Sequence, residues 1–168
     1  MSDAVDAIVE QWRQERPELA DDLWSVQLLG RIQRLGRVLD REYRAFMAQH
    51  GLEHGEFDVL ATLRRSGPPY ELTAGAFLKA AMVTSGAITN RIDRMETKGL
   101  VERVRDDGDR RTVRIRLTPH GHEVTETVMS AHLSNQVRML QALDRTECER
   151  IGDGLRVLLE SFGDTSIT

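Results

Sequence analysis

Cysteine is nearly missing: Cys148 is the one thiol in 168 residues. That excludes an internal disulfide framework and any zinc site built on paired cysteines. Aromatic residues are scarce, at 5% of the chain, which disfavours a nucleic-acid surface that works by stacking unpaired bases. No apolar run approaches the ~20 residues of a membrane-spanning helix. The opening Met1-Ser2-Asp3-Ala4-Val5-Asp6 is acidic and lacks the basic-then-apolar order of a secretory leader, so a cytoplasmic location is expected. There is no Gly-rich phosphate loop, no serine nucleophile motif and no HExxH helix. His120, His122 and His132 do not stand at zinc-ligand spacing. An enzyme is therefore not expected, and neither a metal nor a cofactor.

What is present is a globular chain, 40% apolar and 30% charged, of a size that suits one domain. Its net charge of -4 is unevenly spread. Between Thr84 and Leu117 stand nine bases (Arg91, Arg94, Lys98, Arg103, Arg105, Arg110, Arg111, Arg114, Arg116) and six acids, a surplus of +3 that leaves -7 for the rest. A basic segment on an acidic body fits local contact with a polyanion. On charge alone, a solvated face is the plainer alternative.

Periodicity predicts a mostly helical protein. Val5, Ile8, Val9 and Trp12 mark a helix from Asp3 to about Arg16, interrupted at Pro17. Leu28, Ile32, Leu35, Leu39, Tyr43 and Phe46 advance by threes and fours along a helix from about Asp21 to His50. A third helix spans Glu53 to Arg65, Ser66-Gly67-Pro68-Pro69 is a loop, and Thr73 caps a short helix to Ala81. Thr84 or Ser85 caps the next, with Ile88, Ile92 and Met95 inward and Gly99 closing it. The period then becomes two. Thr112-Val113-Arg114-Ile115-Arg116-Leu117 alternates like a half-buried strand, with Leu100 to Arg105 its partner across an Asp106-Asp107-Gly108-Asp109 turn. Two further helices follow Thr118, marked by Val124, Val128, Val137 and Leu140 and by Ile151, Leu155, Leu158 and Phe162.

Helix, helix, basic hairpin is the order of a winged helix-turn-helix. The fold class is thus mainly α with a small β-hairpin wing, flanked by N- and C-terminal dimerisation helices. One domain over 1–168 is expected: an extension and dimerisation helices in 1–50, the winged element in 53–117, dimerisation helices in 118–168. The helix from Thr84 to Lys98, about 22 Å long, enters the major groove. Thr84, Ser85, Thr89 and Asn90 would face base edges and phosphates, Arg94 a phosphate or guanine edge, and Arg110 and Arg111 the DNA beside the wing. Arg114 and Arg116 alternate with core residues and are read as solvated flanks of the sheet. The surplus apolar stripes at both ends point to a two-fold homodimer on a palindromic operator. The alternative is a winged-helix dimer that binds protein without specific DNA recognition.

The run Val83-Thr84-Ser85-Gly86-Ala87-Ile88-Thr89-Asn90-Arg91-Ile92-Asp93-Arg94-Met95-Glu96-Thr97-Lys98-Gly99-Leu100-Val101-Glu102-Arg103 resembles the recognition-helix signature of MarR-family transcriptional regulators. Asp107, Asp109-Arg110-Arg111, Leu117-Thr118-Pro119 and Gly121 continue the likeness through the wing. The resemblance implies a dimeric repressor released from double-stranded operator DNA by a small, often anionic ligand. The extension Gln11-Trp12-Arg13 and Glu15-Arg16-Pro17, with Glu56-Phe57-Asp58-Val59-Leu60, is similar to the urate-responsive branch and its citrate- and aconitate-responsive relative. That similarity implies a ligand site of Trp12, Asp58, Arg91 and Arg103, with Asp58 paired to an arginine while the site is empty. The Pro68-Pro69-Tyr70-Glu71-Leu72 loop is closer to the citrate/aconitate relative, so urate and citrate or aconitate both stay open.

Overall fold

The structure is a computed structural model, and it describes residues 2–73, 75–77, 88–105 and 112–166. It divides into two compact units, Met1–Gln49 and His50–Thr168. The hairpin turn, Thr84, Ser85, Arg110 and Arg111 lie outside the described residues, as does most of the short helix expected to end at Ala81.

In the first unit, α1 runs Ala4–Glu15. A 3-10 segment, Pro17–Asp22, begins where proline's missing N–H forbids continuation. Helix α2 then runs Leu23–Gln49, later than the expected start at Asp21 because the 3-10 turn occupies those residues. Asp3 caps α1: its carboxylate accepts the Val5 N–H at 2.8 Å and the Asp6 N–H at 3.0 Å. Val5, Val9 and Leu23 are buried together, with Val26 packed against them. Arg31 of α2 closes the contact by donating from Nε to Asp3 at 2.8 Å and from Nη2 to Asp6 at 2.6 Å.

In the second unit, α3 spans Glu56–Arg65. It starts three residues later than the expected Glu53, because Gly55 precedes it at φ +78°, outside helical space. Strand β1, Glu71–Thr73, follows. The sequence alone puts Glu71 and Leu72 in a loop and Thr73 at a helix start. Three residues are too few to show alternation; they become a strand because the free edge of the hairpin pairs with them. Thr73 does cap what comes next, its Oγ1 accepting the Ala76 N–H at 3.1 Å.

Helix α4 spans Ile88–Thr97 within the described residues, with Ile92 and Met95 buried and Gly99 at φ +68° beyond its end. Strands β2 (Val101–Arg105) and β3 (Val113–Leu117) form the expected antiparallel hairpin, Val101 facing Leu117 and Arg105 facing Val113. The sheet order is β1-β3-β2, so the wing has three strands. Helices α5 (Pro119–Met139) and α6 (Arg145–Ser161) complete the chain. The core holds Phe57, Leu60 and Leu63 of α3, Ile92 and Met95 of α4, Ile115 and Leu117 of β3, and Val128 of α5.

A hydroxyl and a glycine lock the wing to α5. Thr118 Oγ1 donates to the Gly99 carbonyl at 2.6 Å and accepts the Gly121 N–H at 2.9 Å. A Cβ on Gly121 would lie 1.9 Å from the Leu100 carbonyl oxygen, so glycine alone permits this approach.

Candidate DNA interface and ligand site

Helix α4 buries Ile92 and Met95 and exposes Thr89 and Asn90 on its other side. That separation follows from the 3.6-residue period and leaves short polar side chains outward. Arg94 is also outward, but its guanidinium is engaged: Nε lies 3.1 Å from Glu53 Oε2. Both side chains are about half exposed (47% and 52%), so the pair is held weakly, ~0–1 kcal/mol, and a phosphate can replace the carboxylate. On the sheet, Arg116 pairs with Glu102 across the hairpin at 2.9 Å, and both Arg114 and Arg116 reach Glu71 of β1 at 3.7 Å. They are half-buried members of a cross-strand ion network rather than purely solvated flanks.

Of the four expected ligand residues, Asp58, Arg91 and Arg103 belong to the second unit, and Trp12, with its indole substantially exposed, to the first. Arg91 is buried (8% exposed), and among the described residues its Nε and Nη1 have no hydrogen-bond partner. The guanidinium lies flat against the backbone at the head of α3: a Cβ on Gly55 would stand 2.6 Å from Arg91 Cζ. Gly55 gives α3 no side-chain cap. The guanidinium thus stands at a helix start whose first turn also carries the carboxylates of Glu56 and Asp58, and two of its donors have no hydrogen-bond partner among the described residues. Half-buried Asp58 stands three residues along the same helix from Gly55.

The family resemblance implies Asp58 opposite an arginine in the empty site. Arg103 is held by Asp93 and Glu96 of α4. Nη2 reaches Asp93 Oδ1 at 2.5 Å, Nη1 bonds Glu96, and the Arg103 backbone N–H donates to Glu96 Oε1 at 3.1 Å. The Asp93 hydrogen bond, opposed by burial and supported by Glu96, holds this guanidinium above the usual arginine range. Arg103 thus ties β2 to α4, which bears both Arg91 and the exposed Thr89, Asn90 and Arg94.

Sequence reasoning missed Glu53, Glu56 and Lys98. Glu56 is fully buried; it accepts Lys98 Nζ at 2.8 Å and the Glu53 N–H at 2.8 Å. Arg91 and Arg94 on α4 and Lys98 just past its end stand three and four residues apart, but that spacing does not name their acidic partners. Cys148 is half-buried, and among the described residues no group of three His, Cys, Asp or Glu side chains could hold a metal. No helix among those residues is long and apolar enough to cross a membrane.

A helix with an exposed polar face, backed by a core helix and followed by a basic hairpin that β1 extends to three strands, defines a winged helix-turn-helix DNA-binding protein. Residues 50–112 match the pattern of the MarR family. The HTH-type transcriptional regulator PecS of Dickeya dadantii (strain 3937) is 36% identical over 143 residues, covering 85% of each chain. The uncharacterized HTH-type transcriptional regulator YkoM of Bacillus subtilis (strain 168) is 32% identical over 115 residues, 68% of this chain and 70% of its own. Sco5413, a MarR family transcriptional regulator from Streptomyces coelicolor, superposes with a TM-score of 0.71 at 27% identity, over 84% of this chain and 97% of its own. A mutant MarR from E. coli, complexed with operator DNA, shares the fold, with a TM-score of 0.69 at 23% identity over 94% of this chain and 99% of its own. The chain belongs to the MarR family of DNA-binding transcriptional regulators, whose members are not enzymes.

Proposed function

We propose that this regulator is a repressor that binds a palindromic operator as a homodimer and is released by a small anion such as urate, citrate or aconitate. Thr84, Ser85, Thr89, Asn90 and Arg94 contact the major groove, and Arg110 and Arg111 contact DNA at the wing. Trp12, Asp58, Arg91 and Arg103 respond to the ligand. The observation that carries the reading is the buried Arg91 guanidinium with two unused donors on the helix that also bears Thr89, Asn90 and Arg94.

The ligand's oxygens complete the Arg91 fork, as a carboxylate or urate anion can. A bound anion also repels nearby Asp58 and competes with Asp93 and Glu96 for Arg103. Either effect moves α4 or the start of the wing. Dimer formation is supported by the apolar surface of α6 and its C-cap, where Ile151, Val157, Leu159 and the capping Phe162 are exposed, Phe162 to 85%. Action on chromosomal DNA goes with a cytoplasmic location.

The test is a gel shift against the DNA immediately upstream of the chain's own gene, titrated with urate, citrate and aconitate. Release by at least one of them, lost in Arg91→Gln and shifted in Asp58→Asn and Arg103→Ala, is the expected result. Variants that respond as the parent does would overturn the assignment of the ligand site.

A further inference from the structure

Arg91 and Arg94 of α4 and Lys98, the residue after its end, stand three and four apart, and all three meet the turn that leads into α3. Arg91 lies on Gly55; Arg94 reaches Glu53 at 3.1 Å; Lys98 reaches Glu56 at 2.8 Å, Glu53 Oε1 at 3.6 Å and the Gly51 carbonyl at 3.3 Å. The two acids are unlike. Glu56 is sealed from solvent and bonded to a backbone N–H, so its grip on Lys98 is a fixed anchor. Glu53 is solvent-facing and shared between two cations, so its grip on Arg94 is releasable.

We propose that Glu53 competes with DNA phosphate for Arg94 and thereby sets how tightly the regulator holds its operator. A carboxylate and a phosphate oxygen satisfy a guanidinium in the same way, so Arg94 cannot bond both fully. In the free protein Glu53 positions Arg94 toward α3. On DNA the pair must open, which lowers affinity by what the ion pair was worth. Glu53 is a positioning residue, acting through Arg94 and not on the DNA itself. The fixed Glu56–Lys98 anchor keeps α4 in place while Arg94 changes partner.

The inference rests on Arg94 as a DNA contact, and the experiment separates the two. Fluorescence anisotropy of a labelled duplex from the DNA upstream of the chain's own gene is measured for the parent, Glu53→Gln, Arg94→Ala and the double variant. Removing Glu53 is expected to tighten binding about three- to tenfold, since an exposed pair in each half-site must no longer open. The gain must vanish in the Arg94→Ala background, giving a coupling that a simple change of net charge cannot produce. An equal gain in both backgrounds, or none, overturns the competition. Arg94→Ala binding as well as the parent overturns the DNA role of Arg94 and the competition with it. A parent that ignores the duplex overturns the operator-binding reading itself.

Discussion

Replacing Gly55 by alanine should separate the ligand response from the fold. Two costs arise at once. The residue sits at φ +78°, where an L side chain meets its own carbonyl at roughly 1–2 kcal/mol. The new methyl would also lie 2.6 Å from Arg91 Cζ and 2.8 Å from Nη2. These atoms are the far end of a flexible side chain, so the guanidinium moves aside rather than the backbone breaking. The expected stability loss is then about 1–2 kcal/mol, or about 2–8 °C in Tm for a chain of this size. Arg91 loses its seat at the head of α3, and with it the buried donors that face the anion. Thermal melts should show the small shift, urea unfolding an unchanged m-value, and the gel shift DNA binding retained with ligand release weakened at least tenfold. Full ligand sensitivity in Gly55→Ala would refute the role given to the Arg91 seat. A loss well beyond 4 kcal/mol would refute the claim that the side chain alone gives way.

Gly121→Ala should be far less tolerable, because its methyl would meet the Leu100 carbonyl oxygen at 1.9 Å, backbone that cannot swing away. Destabilisation of about 3 kcal/mol or more in urea is expected, whereas Gly152→Ala, inside α6 with open space around it, should stabilise by about 0.5–1 kcal/mol. Burial lowers the pKa of His132, whose imidazole stands edge-on to Phe57 at 5.3 Å. Its neutral form is favoured by folding, so its contribution is complete above pH 6.5 and declines as pH falls through its depressed folded value. The urea midpoint should drop between pH 7 and 5, and His132→Gln should flatten that slope. Backbone hydrogen bonds within the α1 cap, aided by Arg31, hold Asp3 and Asp6 below 3.8, so helicity in α1 should persist to pH 4 and fall only as those lowered values are passed. Helical content measured from pH 5 to 2, for the parent and Arg31→Gln, checks this: the variant should lose it at higher pH.

Alternation and spacing made much of the architecture legible. Arg114-Ile115-Arg116-Leu117 could hardly be anything but a half-buried strand, and it pairs with Val101–Arg105 as expected. One cap was legible, Thr73, which accepts the Ala76 N–H; Asp3 and Thr118 also accept backbone N–H groups at helix starts, but are not among the caps expected from sequence. Strand β1 was not legible, because Glu71-Leu72-Thr73 has no period of its own and exists through pairing with β3. The head of α3 was misjudged for a local reason, the left-handed Gly55. In the site, the residue types were readable and the partners were not. Arg103 meets Asp93 and Glu96 because the chain reverses at Gly99 and runs β2 back beside α4, a tertiary fact. The closeness of Arg91 to Gly55 likewise needs two helices packed, and spacing within one helix carries no trace of it.

Isothermal titration of the DNA-free regulator with urate, citrate and aconitate measures most directly whether the buried guanidinium is an anion receptor. One anion per chain, bound by the parent and lost at least tenfold in a folded Arg91→Gln, is the predicted result. Equal binding by parent and variant, or no binding of any of the three, would contradict it.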